Sequence, residues 1–253
     1  MNGTLLITGA SSGIGASLVR HLAGDYEVLA LARRIDRMNR EYGDHPSIHP
    51  YELDLADADG TRSLLADLVA EWGHIPYLLN VAGIWNTKSL LELTDEDLRL
   101  AMEVDAFAHV RTMQALLPAM REHDFGRIVN VSGTGVLVPM AGWAAQYASI
   151  MARNAYGVTA AHENDDRNVK INLMGPGPTS TEMYDGPLPP TACHSTVDYL
   201  LGLDADGPTG RMFWLGYEVP LFPELGATEL FGPFHADEEY LTRVCDPPEE
   251  LRG

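Results

Sequence analysis

Residues 4–15 read TLLITGASSGIG, an apolar run Thr4-Leu5-Leu6-Ile7 that breaks into Thr8-Gly9-Ala10-Ser11-Ser12-Gly13-Ile14-Gly15. A short apolar run bounded by glycine suits a buried strand. Beyond the break Ile14, Leu18, Val19 and Leu22 recur at helical spacing, so a strand feeds a helix through a tight glycine turn. Glycines at 9, 13 and 15 let the backbone bend sharply and come close to a ligand. The free N–H groups and positive end of the new helix then face its phosphates. This is the architecture a nucleotide pyrophosphate needs, with GxxxGxG spacing in place of the GxGxxG of the commoner dinucleotide fold.

The alternation continues along the chain. Further strands are expected at Val28 to Leu31, Ile48 to Leu53, Tyr77 to Leu79, Ile128 to Val131, Val169 to Leu173 and Arg211 to Trp214. Helical stretches between them carry Leu64, Leu65, Leu68 and Val69, then Leu98, Met102, Phe107 and Leu116, then Tyr147 to Ala161. Thr94 and Asp97 form a capping pair at the start of the second of these, with Asp in place of the preferred Glu or Gln. Repeated βα units predict an α/β fold: a single doubly wound Rossmann-type domain with a seven-stranded parallel sheet and helices on both faces. The domain is expected over residues 1–220, with a substrate-covering segment over 178–208. Residues 221–253 are expected to form an acidic extension packing on or trailing from it. Gly175 to Pro190, rich in proline and glycine, should be a loop at the carboxyl edge of the sheet, where ligands of such sheets bind.

Composition narrows the partners. The chain has 253 residues and a net charge of -19, which argues against nucleic acid or an anionic membrane surface. No apolar run approaches the ~18 residues of a membrane span. With the first strand starting near residue 4 there is no room for a signal peptide, and a cytoplasmic location is expected. Cys193 and Cys245 are expected to be free thiols, His162, His194 and His235 are scattered, and no metal site is predicted.

With TGASSGIG stand Asp54-Leu55 after the third strand, Asn80-Val81-Ala82-Gly83 after the fourth, Tyr147 in a later helix, and Pro176-Gly177 followed by Thr181. On these motifs the chain resembles the short-chain dehydrogenase/reductase family over roughly residues 3–220. The resemblance implies a nicotinamide cofactor held by Gly9, Ser11, Ser12, Gly13, Ile14 and Gly15. The Asp54 position, with Leu55 beside it, would meet the adenine amino group. Asn80, Ala82 and Gly83 would support the sheet and ribose. Thr181, after Pro176 and Gly177, would hold the nicotinamide amide. It also implies a small-molecule substrate and pairing into homodimers or homotetramers.

Charge selects the cofactor. The second strand ends Ala30-Leu31-Ala32-Arg33-Arg34, with no carboxylate to accept from ribose hydroxyls. An arginine fork suits a phosphate, so NADP(H) is predicted, with Arg33 or Arg34 on its 2′-phosphate.

The catalytic pattern departs from the family's. There a Tyr acts as acid or base and a Lys four residues later lowers its pKa; here Tyr147 is followed by Met151. The usual serine falls on Gly133, leaving Ser132 or Thr134 to supply a hydroxyl, and the usual Asn is Asp105. With no ammonium at 151 and a carboxylate at 105, the Tyr147 proton should be held on, which favours reduction over oxidation. Alternatively Asp105, if buried, is itself a protonated donor. Trp85, Met140, Trp143, Met183 and Tyr184 fall near the expected substrate mouth and point to a bulky, mainly apolar substrate. Three functions follow: an NADPH-dependent reductase of a ketone, aldehyde or imine; a regulatory NADP(H)-binding module without ordinary hydride transfer; or an enzyme turned to non-redox chemistry.

Overall fold

In strand β1 (Thr4–Thr8) successive side chains point to opposite faces, so Leu5 and Ile7 enter one apolar layer and Leu6 the other. In this computed structural model, which describes residues 2–133 and 140–221, that division runs across the central strands of the sheet. The first layer packs α1 (Gly13–Leu22), α2 (Ile35–Tyr42) and α7 (His194–Leu201) against β1 and β2 (Glu27–Ala32). The second is filled from α3 (Ala58–Trp72), α5 (Ala108–Glu122) and α6 (Ala144–His162). Leu5, Leu6, Leu29 and Leu78 are all sealed from solvent. Burial of each contributes about 1.5–3 kcal/mol, which holds both layers to the sheet.

The sheet adds β3 (Ile48–Glu52), β4 (Tyr77–Asn80), β5 (Gly126–Val131), β6 (Val169–Gly175), β7 (Met212–Trp214) and β8 (Tyr217–Val219), in the order β3-β2-β1-β4-β5-β6-β7-β8. The first seven strands are parallel, as expected. The eighth is an addition: β8 runs antiparallel to β7 through a two-residue turn in which Leu215 and Gly216 both have positive φ, 46° and 86°. The sequence expectation of seven strands missed it because Tyr217 and Glu218 are exposed and form no apolar run.

Two further features lay outside the expected pattern. Helix α2 buries only Met38 and Tyr42, one turn apart, so its signal is a single pair among charged residues. Between α4 (Asp95–Met102) and α5 the helix opens into a π turn, Glu103–Phe107. Thr94 and Asp97 do close a capping box on α4, each side chain bonding the other's backbone N–H.

A buried cation ties the layers together at the amino edge of β5. Arg127 donates to the carbonyls of Leu203 (2.8 and 2.6 Å), Gly126 and Asn168, and stacks on Phe125. It thereby anchors the chain just after α7. The described residues through Val219 form one compact unit. The expected acidic extension lies, apart from Leu221, outside the described residues.

Candidate active site

The strand order reverses direction between β1 and β4, and a crevice opens at the carboxyl ends of these two strands. Thr8 pins its walls: the hydroxyl accepts the N–H groups of Val81 (3.0 Å) and Ala82 (3.2 Å), so the turn after β4 is fixed to the end of β1. Behind it Asn80 donates to Asn130 (2.9 Å) and accepts from Thr112 (2.9 Å). Asn80 is therefore a buried support and does not line the crevice.

The glycine turn is compact because side chains would not fit. A Cβ on Gly15 would lie 2.2 Å from the Gly9 carbonyl oxygen, and one on Gly9 would lie 2.9 Å from the backbone of Ala82. Gly9 and Gly13 also take positive φ, 74° and 53°. The result is a groove of about 530 Å³ lined by Gly9, Ser11, Ser12, Gly13, Ile14, Gly15, Arg33, Arg34, Asp54, Leu55, Ala82, Gly83 and Thr181. All thirteen were expected from the sequence.

Ala32, Leu53, Ala56, Val81, Ile84, Trp85, Leu100, Val104, Glu182 and Met183 complete its lining. Asn80, Pro176 and Gly177, expected beside the cofactor, and Tyr147, expected at the reacting end, are absent from it.

Arg34 is aimed rather than splayed into solvent. Its Nε donates to Ser11 Oγ (3.1 Å), Nη2 to Ser12 Oγ (2.5 Å) and Nη1 to Glu182 Oε2 (2.8 Å). Arg34 and then Arg37 hold the Glu182 carboxyl below the usual range. No sequence signal pointed to Glu182, which reaches Arg34 from 148 residues away.

Beyond the groove four aromatic rings gather from three segments. Trp85 packs edge-on against Trp143 (4.4 Å between centroids) and tilted against Tyr184 (5.3 Å); Trp143 in turn meets Tyr147 (5.7 Å). Trp85, Trp143 and Tyr184 were expected near a substrate mouth, and Trp85 belongs to both groove and cluster. Tyr147 sits in the first turn of α6, half-buried. Burial pushes its phenol pKa up, opposed by a hydrogen bond with the Met140 backbone. The proton is thus held on by desolvation, where the sequence had put it down to the charge at 105.

Asp105 is sealed inside the π turn and does not reach the groove. Its oxygens accept from the Ile84 N–H (2.8 Å) and the Ser149 hydroxyl (2.9 Å), which ties the turn after β4 to α6. Burial raises its pKa; Arg153 and these two bonds pull the other way. Arg153, two residues past Met151, is itself buried, and desolvation lowers its pKa to about 10. That cation was missed because an arginine on a helix normally reads as solvent-facing. Ser132 is buried with its Oγ unbonded among the described residues, and Thr134 lies outside them. Gly133 faces Ile150 with room for a Cβ at 3.6 Å. Among the described residues no group of histidine, cysteine and carboxylate side chains could hold a metal ion, and no helix is long and apolar enough to cross a membrane.

Comparison with known proteins adds relatives to this geometry. Residues 3–187 match the family described as short chain dehydrogenase. An uncharacterised oxidoreductase, YvrD, of Bacillus subtilis is 28% identical over 182 residues, covering 70% of this chain and 69% of that protein. The NADP-dependent 3-hydroxy acid dehydrogenase YdfG of Escherichia coli is 28% identical over 188 residues, covering 72% of this chain and 71% of the relative. A closed form of serine dehydrogenase complexed with NADP+ superposes with a TM-score of 0.77 at 22% identity, over 83% of this chain and 93% of that one. At that identity the likeness concerns the fold.

Proposed function

The chain belongs to the short-chain dehydrogenase family, and from that premise we propose that it is an NADP(H)-dependent reductase of a bulky, mainly apolar ketone, aldehyde or imine. The observation that carries the reading is Trp85, shared between the glycine-turn groove and the aromatic cluster that holds the protonated Tyr147. A dinucleotide fits the groove: its volume lies within the ~300–1,000 Å³ of small-molecule sites, and its floor is bare backbone where a Cβ would intrude.

Gly9 to Gly15 would hold the pyrophosphate at the start of α1, Arg34 or Arg33 the 2′-phosphate, Asp54 with Leu55 the adenine end, and Thr181 the nicotinamide amide. Bound in reduced form, the nicotinamide supplies the hydride. Tyr147 does the remaining chemistry by donating its phenolic proton to the carbonyl oxygen, and its raised pKa suits a donor and not a base. Met151 brings no ammonium to help remove that proton, so the reverse reaction, alcohol oxidation, is disfavoured at neutral pH. Trp85, Trp143 and Tyr184 offer the substrate an apolar wall. The NADP-dependent relative YdfG supports the cofactor assignment.

The test is NADPH oxidation followed with a panel of aryl and alkyl ketones, aldehydes and cyclic imines. Turnover on at least one class is expected. Tight NADPH binding without turnover on any class replaces the reductase by a binding module.

A further inference from the structure

Arg34 and Arg37, three residues apart at the start of α2, both reach one carboxylate. Arg34 Nη1 donates to Glu182 Oε2 (2.8 Å) and Arg37 Nη1 to Glu182 Oε1 (2.5 Å), one arginine on each oxygen. Ser11 and Ser12, in the glycine turn, fix the other edge of the Arg34 fork. An anion bridged by two guanidinium groups, one of them aimed by turn residues, is the arrangement a phosphate group takes between arginines. Glu182 therefore stands where the 2′-phosphate of the proposed cofactor would be received.

The loop that carries Glu182 lies across the groove. Thr181 touches the glycine turn, where a Cβ on Gly13 would meet its methyl group at 3.0 Å. The Thr181 hydroxyl accepts from the N–H groups of Met183 and Tyr184, both 3.2 Å, and its own N–H donates to the Tyr184 carbonyl, 2.7 Å. The three residues after Thr181 thus form a tight turn that presents Glu182 to Arg34. All three ionic side chains are between a third and just over half exposed, so these pairs are weak and exchangeable.

We propose that Glu182 competes with the cofactor's 2′-phosphate for Arg34 and Arg37, and so sets how strongly the groove selects a phosphorylated dinucleotide. This rests on the NADP(H) reading above. A phosphate brings more negative charge to the same two forks than one carboxylate, and the two anions repel, so Glu182 must leave for it to settle. A nucleotide lacking that phosphate leaves the carboxylate in place.

Calorimetric titration of 2′,5′-ADP and 5′-AMP against the wild-type chain and Glu182→Gln tests this without turnover. The wild type should bind 2′,5′-ADP more tightly than 5′-AMP. Glu182→Gln should tighten 2′,5′-ADP about fivefold to tenfold and leave 5′-AMP within twofold. If the wild type prefers 2′,5′-ADP but the variant shifts both ligands alike, or neither, competition is overturned and the cofactor reading stands. If the wild type shows no preference, or the variant loses 5′-AMP because Glu182 was accepting from its ribose hydroxyls, both are overturned.

Discussion

The groove proposed for the nucleotide and the aromatic cluster proposed for catalysis are built from different material. In the groove the working surface is backbone: Gly9 and Gly15 approach backbone atoms of other residues so closely that even a methyl group would collide. In the cluster it is side chain, with Trp85, Trp143, Tyr184 and Tyr147 contributed by the segments after β4 and β6 and by α6. Backbone sites admit few alternatives, because only glycine satisfies both the positive φ and the close approach. Side-chain sites can be rebuilt. A methionine stands at 151 and a carboxylate at 105, yet Asp105 is fully engaged, holding Ile84 and Ser149. Residues at such positions can therefore change while the fold around them stays satisfied.

Four substitutions would break or sharpen this contrast. The largest effect is expected of Tyr147→Phe, which removes the proposed proton donor. The reduction rate should fall about 10²–10⁴-fold with NADPH affinity within twofold, measured by steady-state kinetics beside equilibrium titration. Next comes Gly15→Ala, whose Cβ would press on the Gly9 carbonyl. Opening the turn should cost about 3 kcal/mol, or about a hundredfold in NADPH affinity, and lower the melting temperature. Unaltered affinity there would put the pyrophosphate elsewhere. Arg34→Met should weaken NADPH about tenfold to thirtyfold while NADH changes little, the loss expected for one charge-assisted contact to a phosphate. The smallest change is expected of Met151→Lys. An ammonium one turn from Tyr147 favours the phenolate, so the onset of alcohol oxidation should move about one unit toward lower pH. A pH–rate profile that stays put would place residue 151 outside the reach of the phenol.

The same contrast explains what the sequence disclosed. Thirteen groove residues were legible because backbone chemistry leaves glycine spacing and turn composition behind it, and the Thr94–Asp97 box was legible because caps are local. Glu182 was not, since its partners lie in a loop and helix far away in sequence and nothing around it differs from any exposed acidic residue. Arg153 escaped for the opposite reason: its charge marks it as a surface residue, and only tertiary packing against the π turn buries it. The β8 edge strand was invisible because three residues, two of them exposed, are too few to mark a strand, and the Leu215–Gly216 turn that forces them back carries no distinctive sequence.

The π turn carries a consequence for chain length. An α-helix advances about 100° per residue, and a π turn accommodates one residue more than the α geometry needs. Deleting one residue between Glu103 and Phe107 would let Asp95 to Glu122 run as a single unbroken α-helix, with better backbone geometry than the chain now has. Because the π turn already absorbs that residue, the helices on either side would keep their facing, and the change would fall on the turn itself, where the Asp105 carboxylate now meets Ile84 and Ser149. The extra residue thus alters the turn and not the phase of the helices around it, and homologous chains differing by one residue here would be expected to differ in how the wall after β4 is held.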